Sequence, residues 1–285
     1  MVISKIRPLI HLCRLDKPIG IWLLMIPCWW GVALVFQLMT APFFGYLLLF
    51  FVGSICMRSA GCISNDIADR NYDRDVQRTA LRPLAAETIT VTTAIIVFIF
   101  FCLSGLLAFA ALSQTAQIIS LVAFVMLLFY PYAKRVTYWP QLVLGLAFNS
   151  GVIVAWGVDA TPSLLFPVIV FYTIGILWTL AYDTIYAFQD VTDDIRIGIK
   201  STAVLFKDSP KKLPALCYGG MILLLVTSGI LFQYSASYFV IVSILACVSG
   251  YILGRWTPED QESCLGTFKT NQILGWLIFL ALLIR

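Results

Sequence analysis

Long apolar stretches constrain the fold of this chain more than any other feature of its sequence. A helix that crosses the hydrocarbon core of a bilayer needs roughly 17–25 consecutive apolar residues. Stretches of this kind can be drawn at about residues 19–38, 43–64, 88–111, 115–134, 139–157, 163–187, 213–233, 236–254 and 270–284, the last being short. The sequence therefore predicts an all-α, polytopic membrane protein with nine transmembrane helices.

The composition supports this class of protein. Of the 285 residues, 60% are hydrophobic and only 12% are charged, which is typical of a chain that lies largely in lipid. No linker rich in Pro, Gly or Ser divides the chain, so we expect a single transmembrane domain over residues 1–285. Basic residues precede the first stretch without a small-residue cleavage site, which indicates a retained anchor rather than a removed signal.

The distribution of Lys and Arg predicts the orientation in the membrane. These residues lie before the first stretch and after the second, fourth, sixth and eighth stretches, whereas the connections at 39–42, 112–114, 158–162 and 234–235 contain neither. Because basic loops stay on the cytoplasmic side, we expect the amino terminus and the loops after the second and sixth stretches to be cytoplasmic. The net charge of +4 then reflects topology and contact with membrane lipid, and we expect no nucleic acid partner.

Cysteine and histidine usage limits the metal chemistry. The eight cysteines are scattered, without a Cys-x-x-Cys pair and mostly within apolar stretches, which favours a role as small apolar fillers. His11 is the single histidine of the chain, so a His-rich zinc or haem-iron site is excluded. Carboxylates are therefore the plausible metal ligands.

Two acidic segments begin where the second and sixth apolar stretches end. Asp69 and Asp73 are four residues apart, and so are Asp190 and Asp194. On a helix this spacing places both carboxylates on one face, about 5–6 Å apart. Corresponding residues of the two pairs are 121 positions apart (190 − 69 and 194 − 73). This offset suggests two pseudo-repeated four-helix halves followed by a ninth helix.

Facing carboxylates of this kind suit a hard cation. Mg²⁺ is usually held by one or two carboxylates with waters and substrate phosphates, so the paired aspartates predict Mg²⁺ and a polyphosphate between them. Basic residues that could neutralise the remaining phosphate charge are Arg70, Arg78, Arg82, Lys134 and Lys200. The alternative is a pair of solvated loops capped by Asp and Asn. No P-loop or nucleotide fingerprint occurs, which disfavours a pump driven by nucleotide hydrolysis.

A polar stripe leads to the first acidic segment. Arg58, Cys62, Asn65 and Asp69 are spaced four, three and four residues apart, which places them on one face of a helix. Arg58 lies well within an apolar stretch, where a charge costs about 2.5–3.5 kcal/mol. We expect it to face a polar cavity. The alternative is an arginine that snorkels or pairs with a neighbouring helix.

Aromatic residues accompany both acidic segments. Tyr130 and Lys134, four residues apart, could jointly reach phosphate oxygens, or they could belong to an interfacial belt of aromatic and basic residues. Tyr182, Asp183 and Tyr186 precede the second pair of aspartates. The aromatic faces there could stabilise a cation.

Taken together, these motifs resemble those of a known family. They are Asn65-Asp66-x-x-Asp69-x-x-x-Asp73, Arg78-Thr79-x-x-Arg82-Pro83-Leu84, Tyr130-Pro131-x-x-Lys134-Arg135 and Asp183-Thr184-x-Tyr186-Ala187-x-x-Asp190-x-x-x-Asp194 with Gly198-Ile199-Lys200-Ser201. From about residue 14 to 206 the chain resembles the UbiA superfamily of intramembrane aromatic prenyltransferases. Two further segments, Arg14-Leu15-Asp16-Lys17-Pro18-Ile19-Gly20 and Arg58-x-x-Gly61-Cys62, are similar to its branch that acts on 4-hydroxybenzoate.

The resemblance implies a fold and a reaction. The fold is a set of nine transmembrane helices around a central cavity, in which Mg²⁺ bridges a polyprenyl diphosphate to the two aspartate motifs. Members of the superfamily ionise the allylic diphosphate and attach the resulting carbocation to an aromatic ring. In the branch named above, the acceptor is 4-hydroxybenzoate, which is alkylated at its 3-position in ubiquinone biosynthesis.

The resemblance also implies roles for individual residues. The metal ligands would come from both motifs, namely Asn65, Asp66, Asp69, Asp73, Asp190 and Asp194. The residues that contact or neutralise the diphosphate would be Arg70, Arg78, Arg82, Tyr130, Lys134 and Lys200. Tyr186 would bind the substrate through its aromatic face, which could stabilise a cation. Arg58 and Arg14 are candidates for the acceptor carboxylate, because a buried acid needs a cationic partner. Asp183 is a candidate for orienting or deprotonating the phenol.

Other readings of the sequence stay open. Within the superfamily the acceptor could instead be a naphthoate, homogentisate, haem or a glycerophosphate. Outside it, a divalent cation transporter would use the aspartates to bind the translocated ion, whereas a structural scaffold would leave them unexplained. No Arg- and Ser-rich transit peptide precedes residue 14, which favours a bacterial inner membrane over a mitochondrial one.

Overall fold

The computed structural model describes residues 2–74 and 80–285. Within these ranges, the side chains of residues 2–6, 69, 72, 128–132, 134 and 197 lie outside the description. The described backbone consists of helices and their connections, without a β-strand. The expectation of an all-α chain is therefore confirmed for this part of the protein.

The helices follow one another along the chain with short connections. They are α1 (Val2–Leu12), α2 (Ile19–Val35), α3 (Ala41–Asp73), α4 (Val91–Ala110), α5 (Gln114–Val136), α6 (Pro140–Asp159), α7 (Leu165–Ala187), α8 (Val191–Ile197), α9 (Thr202–Leu205), α10 (Lys212–Leu231), α11 (Ala236–Arg255), α12 (Gln261–Thr270) and α13 (Gln272–Leu283). Short 3₁₀ turns at Pro162–Leu164 and Phe188–Asp190 precede and follow α7.

Each predicted apolar stretch overlaps a helix. Six segments within the described ranges are long and apolar enough to cross a membrane: Ala41–Ala68, Val91–Ala110, Pro140–Asp159, Pro162–Arg196, Lys212–Leu231 and Ala236–Arg255. Ile19–Val35 and Gln114–Leu127 are shorter apolar helices. The expected membrane class is confirmed, whereas the number of nine spans stays a prediction.

Local sequence signals explain where several helices begin and end. The Thr90 side chain accepts a hydrogen bond from the Thr93 amide and caps α4, and Ser113 does the same for α5 through the Ala116 amide. Such caps satisfy amide groups that the first helical turn leaves unpaired. Pro140 occupies the first turn of α6, where its missing amide hydrogen costs nothing.

The chain contacts define two compact units. The first comprises residues 1–25 and 45–112. Its core contains Leu12 at the end of α1, Cys13 directly after it, Ile63 on α3, Leu84 in the following connection and Ala94 on α4. The Ser59 hydroxyl donates a hydrogen bond of 3.3 Å to the Cys13 carbonyl, so the turn after α1 is fixed against the middle of α3.

The second unit comprises residues 26–44 and 113–285. Buried indoles satisfy carbonyl groups at the start of α13: Trp30 Nε1 donates to Gly275 O over 3.0 Å, and Trp178 Nε1 donates to Asn271 O over 3.2 Å. The Tyr218 hydroxyl donates to the Asn271 side chain over 2.6 Å. These bonds hold the break between α12 and α13 against α7 and α10.

Candidate active site

The first acidic segment is helical along its whole length. Helix α3 runs for 33 residues and ends at Asp73, so it carries the polar stripe as well as the aspartates. The prediction that Asp69 and Asp73 share one helix is confirmed for the backbone. The Asp69 side chain lies outside the described residues.

Asp66 lies at the centre of an ion-pair network in the first unit. Only 2% of this residue is exposed, and Arg14 Nη2 lies 2.8 and 2.9 Å from its two carboxylate oxygens. Arg82 Nη1 donates to Asp66 over 3.2 Å and to Asp73 over 2.9 Å. Arg14, a candidate for the acceptor carboxylate, is therefore bound to Asp66 in this structure. Removing one partner of such a buried pair typically costs about 3–5 kcal/mol.

Arg14, which contacts Asp66, has a left-handed backbone conformation. Arg14 has a φ of +55°, in the left-handed region that a non-glycine residue rarely adopts. Its Nη1 atom donates to the His11 carbonyl over 3.0 Å, which fixes the end of α1. The neighbouring Cys13 is 4% exposed, and burial, with a smaller effect of the Cys62 thiol, raises the pKa of Cys13 to about 11. This thiol stays protonated at neutral pH, as expected for an apolar filler.

Arg58 lies on α3 against the first turn of α2. A Cβ atom placed on Gly20 would be 2.4 Å from Arg58 Nε and 2.7 Å from Arg58 Cζ, so the guanidinium occupies the space above the glycine. Among the described residues, no hydrogen-bond partner meets the buried Nε atom, and no carboxylate forms an ion pair with this arginine. Gly20 was assigned no role from the sequence. The sequence feature that could have indicated this contact is a glycine in the first turn of an apolar helix.

Arg70 and Arg78 are two other residues of the first unit that the sequence assigns to the diphosphate. Arg70 donates from Nη1 to the Ile67 carbonyl of its own helix over 3.0 Å. Arg78 lies outside the described residues. The connection after α3 is also fixed by an ion pair between Arg74 and Glu87, and it returns to α3 through Arg82.

The second acidic segment is not a single α-helix. Helix α7 ends at Ala187, and a 3₁₀ turn at Phe188–Asp190 separates it from α8. Phe188 is 5% exposed and packs edge-on against Trp256, with ring centroids 5.3 Å apart. The Gln189 side chain donates to the Tyr186 carbonyl over 2.8 Å. Asp190 therefore occupies the N-cap position of α8, without a capping hydrogen bond from its side chain, and the expectation that one α-helix carries both Asp190 and Asp194 is wrong.

The last two turns of α7 carry Asp183 and the aromatic residues. Tyr182 is 1% exposed, and its hydroxyl accepts a 3.1 Å hydrogen bond from Thr179. The Tyr186 ring lies 4.6 Å from the Phe268 ring, centroid to centroid. Tyr182 and Tyr186 thus both contact Phe268 of α12, which places α12 beside the residues that precede the second acidic segment.

Lys200 meets the C-terminal end of α5. Its Nζ atom donates to the Val136 carbonyl over 3.2 Å and lies 5.6 Å from the centre of the Tyr138 ring. Tyr130 and Lys134 lie in the last two turns of α5, and their side chains are outside the described residues. Lys200 is therefore in the same part of the second unit as the two α5 residues with which it was grouped from the sequence.

The described side chains do not by themselves form a metal cluster. Among the side chains described within residues 2–74 and 80–285, which do not include that of Asp69, no three His, Cys, Asp or Glu residues come together in a metal-binding group. Asn65, Asp69 and Asp73, which α3 carries, nevertheless have the oxygen donors that Mg²⁺ requires.

Comparison with known proteins identifies the family. The model of the UbiA prenyltransferase family matches residues 24–283. The chain belongs to the UbiA prenyltransferase family. The family expected from the sequence motifs is thus confirmed.

Several UbiA-family relatives match nearly the whole chain. The mitochondrial 4-hydroxybenzoate polyprenyltransferase of Bos taurus is 39% identical over 98% of this chain and 75% of its own length. That of Homo sapiens is 38% identical with the same coverage. The 4-hydroxybenzoate octaprenyltransferase of Haemophilus ducreyi is 37% identical over 96% of this chain and 98% of its own length.

Solved structures of the UbiA family share the fold. The apo structure of a UbiA homolog from Aeropyrum pernix K1 superposes with a TM-score of 0.73 at 24% identity, covering 91% of this chain and 96% of that one. A UbiA homolog from Archaeoglobus fulgidus bound to GPP and Mg²⁺ gives a TM-score of 0.68 at 17% identity, covering 96% and 99%. At these identities the likeness concerns the fold.

Proposed function

We propose that this UbiA-family protein transfers a polyprenyl group from polyprenyl diphosphate to the 3-position of 4-hydroxybenzoate, a step of ubiquinone biosynthesis. One observation carries the proposal: identities of 36–39% to 4-hydroxybenzoate prenyltransferases extend over 96–98% of the chain. The relatives are both mitochondrial and bacterial. We place this protein in a bacterial inner membrane, with its nine spans forming one domain around a central cavity.

The donor site is assigned to the two acidic segments. Mg²⁺ would be held by oxygen atoms of Asn65, Asp69, Asp73, Asp190 and Asp194, and it would offset the charge that develops on the departing diphosphate. The remaining donors and cations would come from Arg70, Arg78, Arg82, Tyr130, Lys134 and Lys200, and the Tyr186 ring would stabilise a cation. The contact of Lys200 with the end of α5 supports the grouping of Lys200 with Tyr130 and Lys134. Guanidinium and ammonium groups stabilise phosphate oxygens most strongly where water is excluded.

Arg58 is assigned to the acceptor carboxylate. It lies within a long apolar helix, and its Nε atom is buried without a partner among the described residues. A buried donor of this kind is unfavourable unless a ligand completes it. The carboxylate of 4-hydroxybenzoate is an anion of the right charge, and the ring would extend from it among apolar side chains. Arg14 is the second candidate, although Asp66 already binds its guanidinium.

The bonds that change are simple to state. The allylic carbon–oxygen bond breaks and its electron pair leaves with diphosphate. A new carbon–carbon bond forms between the allylic cation and the ring carbon next to the hydroxyl, and that carbon then loses its proton. Asp183 would orient or deprotonate the phenol, which raises the electron density of the ring. The apolar helices keep water from capturing the cation.

Product formation by membranes containing the protein tests this function. The membranes receive 4-hydroxybenzoate and a polyprenyl diphosphate, with and without Mg²⁺. We expect a 3-polyprenyl product that requires Mg²⁺ and falls at least about a hundredfold in Asp190→Ala. Asp193→Ala, in the same segment but with an exposed side chain, is the matched control and should keep its activity.

Two results would contradict the proposal. If the donor binds but 4-hydroxybenzoate is not prenylated, competition with naphthoate, homogentisate and haem would identify another acceptor. If no donor binds and sealed vesicles show Mg²⁺ flux, the protein is a transporter instead.

A further inference from the structure

The Asp66 carboxylate is enclosed by two guanidinium groups from different parts of the first unit. Arg14 comes from the turn between α1 and α2, and its Nη2 atom lies within 2.9 Å of both oxygens. Arg82 comes from the connection between α3 and α4, and its Nη1 atom lies 3.2 Å from Oδ1. With 2% of the residue exposed, both oxygens face cations rather than an open space.

Asp66 and Asn65 point in different directions around the axis of α3. At about 100° per residue, Asp66 and Asp73 lie about 20° apart around the helix axis, whereas Asn65 lies about 100° from Asp66. Arg82 Nη1 bridges the two residues that share an edge, Asp66 and Asp73. The network thus occupies one edge of the helix, next to the stripe formed by Arg58, Asn65 and Asp69.

These contacts are unsuited to a metal ligand. Mg²⁺ requires oxygen lone pairs in near-octahedral geometry at about 2.0–2.1 Å. To reach Asp66, the ion would have to displace Arg14, whose Nη2 atom lies within 2.9 Å of both carboxylate oxygens, and leave this partly buried guanidinium without its counter-ion, which is unfavourable. The counter-ion role explains the burial of Asp66, and metal binding does not.

We propose that Asp66 is a positioning residue that holds Arg14 and Arg82 beside the first acidic segment, and that it is not a ligand of Mg²⁺. This inference rests on the proposed function, because it concerns the same diphosphate site. Arg82 is the residue through which Asp66 acts on the donor. Its Nη1 atom serves the two carboxylates, and a guanidinium group has further N–H donors in a planar array that matches phosphate oxygens.

The test separates metal binding from diphosphate binding in the purified full-length protein. Mn²⁺ serves as a spectroscopic probe for the metal, titrated by electron paramagnetic resonance, and inorganic diphosphate is the second probe. In Asp66→Asn we expect Mn²⁺ affinity within about twofold of the wild type and diphosphate affinity about tenfold lower, the loss expected when one charge-assisted hydrogen bond to the diphosphate is weakened. Asp73→Asn, which removes a proposed ligand, should lower Mn²⁺ affinity itself by about tenfold or more.

A double variant tests whether Asp66 acts through Arg82. If it does, Asp66→Asn should add little to the loss of diphosphate affinity in Arg82→Gln, because the two changes remove one shared interaction. Additive losses would contradict the inference, as would an Asp66→Asn variant that loses Mn²⁺ affinity as fully as Asp73→Asn. A purely structural role would not change diphosphate affinity selectively.

A second variant replaces Asp66→Asn if that protein does not fold. If Asp66→Asn does not fold, Asp66→Asn/Arg14→Gln removes both charges of the buried pair and undergoes the same titrations with the same expected results. Neither titration uses the aromatic acceptor. A protein that binds both probes in the expected pattern but does not prenylate 4-hydroxybenzoate would contradict the proposed acceptor while supporting the role of Asp66.

Discussion

At position 20 the absence of a side chain determines where the Arg58 guanidinium can lie. An added Cβ would be 2.4 Å from Nε, 2.7 Å from Cζ and 2.8 Å from Nη2, distances at which the guanidinium must move. The proposed contact with the acceptor carboxylate depends on that position. The precise placement of Arg58 therefore depends on a residue 38 positions earlier in the chain (58 − 20).

We expect Gly20→Ala to weaken acceptor binding selectively. The displaced guanidinium should raise the KM for 4-hydroxybenzoate by up to about a hundredfold, as misplacement by about 1 Å can do, with little change in the KM for the prenyl diphosphate. Steady-state kinetics with each substrate varied in turn measure both values. Gly53→Ala is the matched control, because a Cβ there meets nothing within 4 Å. An unchanged KM for 4-hydroxybenzoate would remove Gly20 from the acceptor site.

The sequence was informative about residues that act through local spacing. The stripe from Arg58 to Asp69 and the pair Asp69 and Asp73 follow directly from helical periodicity, and α3 carries all of them. The partners of Asp66 were out of reach, because Arg14 and Arg82 are 52 and 16 residues away from it. Contacts of that kind are set by how helices and connections pack, which no local pattern records.

Among the secondary-structure elements, the second acidic segment also depends on tertiary contacts that its local sequence does not record. Its spacing matches that of the first segment, yet the 3₁₀ turn at Phe188–Asp190 interrupts the helix. The cause is tertiary, since Phe188 packs on Trp256 and Gln261 of α12 donates to the Gln189 carbonyl over 3.1 Å. The four-residue spacing of the aspartates therefore predicts a continuous helix correctly in the first acidic segment. In the second segment, contacts with residues distant in the sequence interrupt the helix.

Helices α2 and α6 approach closely at a glycine, and this contact gives a stability prediction. A Cβ on Gly151 would lie 2.3 Å from Cys28 Sγ and 3.2 Å from the Cys28 amide nitrogen. We expect Gly151→Ala to lower the free energy of unfolding by about 1–3 kcal/mol, as overpacking does. Thermal unfolding in detergent measures the change.

A control and a rescue variant accompany this change. Gly219→Ala in α10 also replaces a helical glycine, but a Cβ there meets nothing within 4 Å, so it should not destabilise. Cys28→Ala removes the nearest clashing atom, and Gly151→Ala/Cys28→Ala should recover part of the loss. A Gly151→Ala protein as stable as Gly219→Ala would mean that α2 and α6 can separate at little cost.

For the whole molecule, the apolar stretches were the most reliable guide. Each of them overlaps a helix, because a segment in lipid must satisfy its own backbone hydrogen bonds. The polar residues after the apolar part of α3 continue the helix to Asp73, as the four-residue spacing of Asp69 and Asp73 predicts. The packing of helices within each unit depends on contacts such as those of Gly20 and Trp30, which the hydropathy pattern does not contain.

The orientation in the membrane gives a last prediction, because it decides on which side the donor site opens. Connections with Lys and Arg should be cytoplasmic, so Gln37 should face the opposite side from Glu259, both being exposed in connections. In intact bacterial cells, a charged maleimide should label Gln37→Cys, and should label Glu259→Cys only after the membrane is opened. The wild type is the baseline, since its exposed cysteines, Cys102 and Cys247, lie in the apolar helices α4 and α11. The reverse pattern would place both acidic segments outside the cytoplasm, away from a cytoplasmic supply of prenyl diphosphate, and would contradict the proposed function as well as the topology.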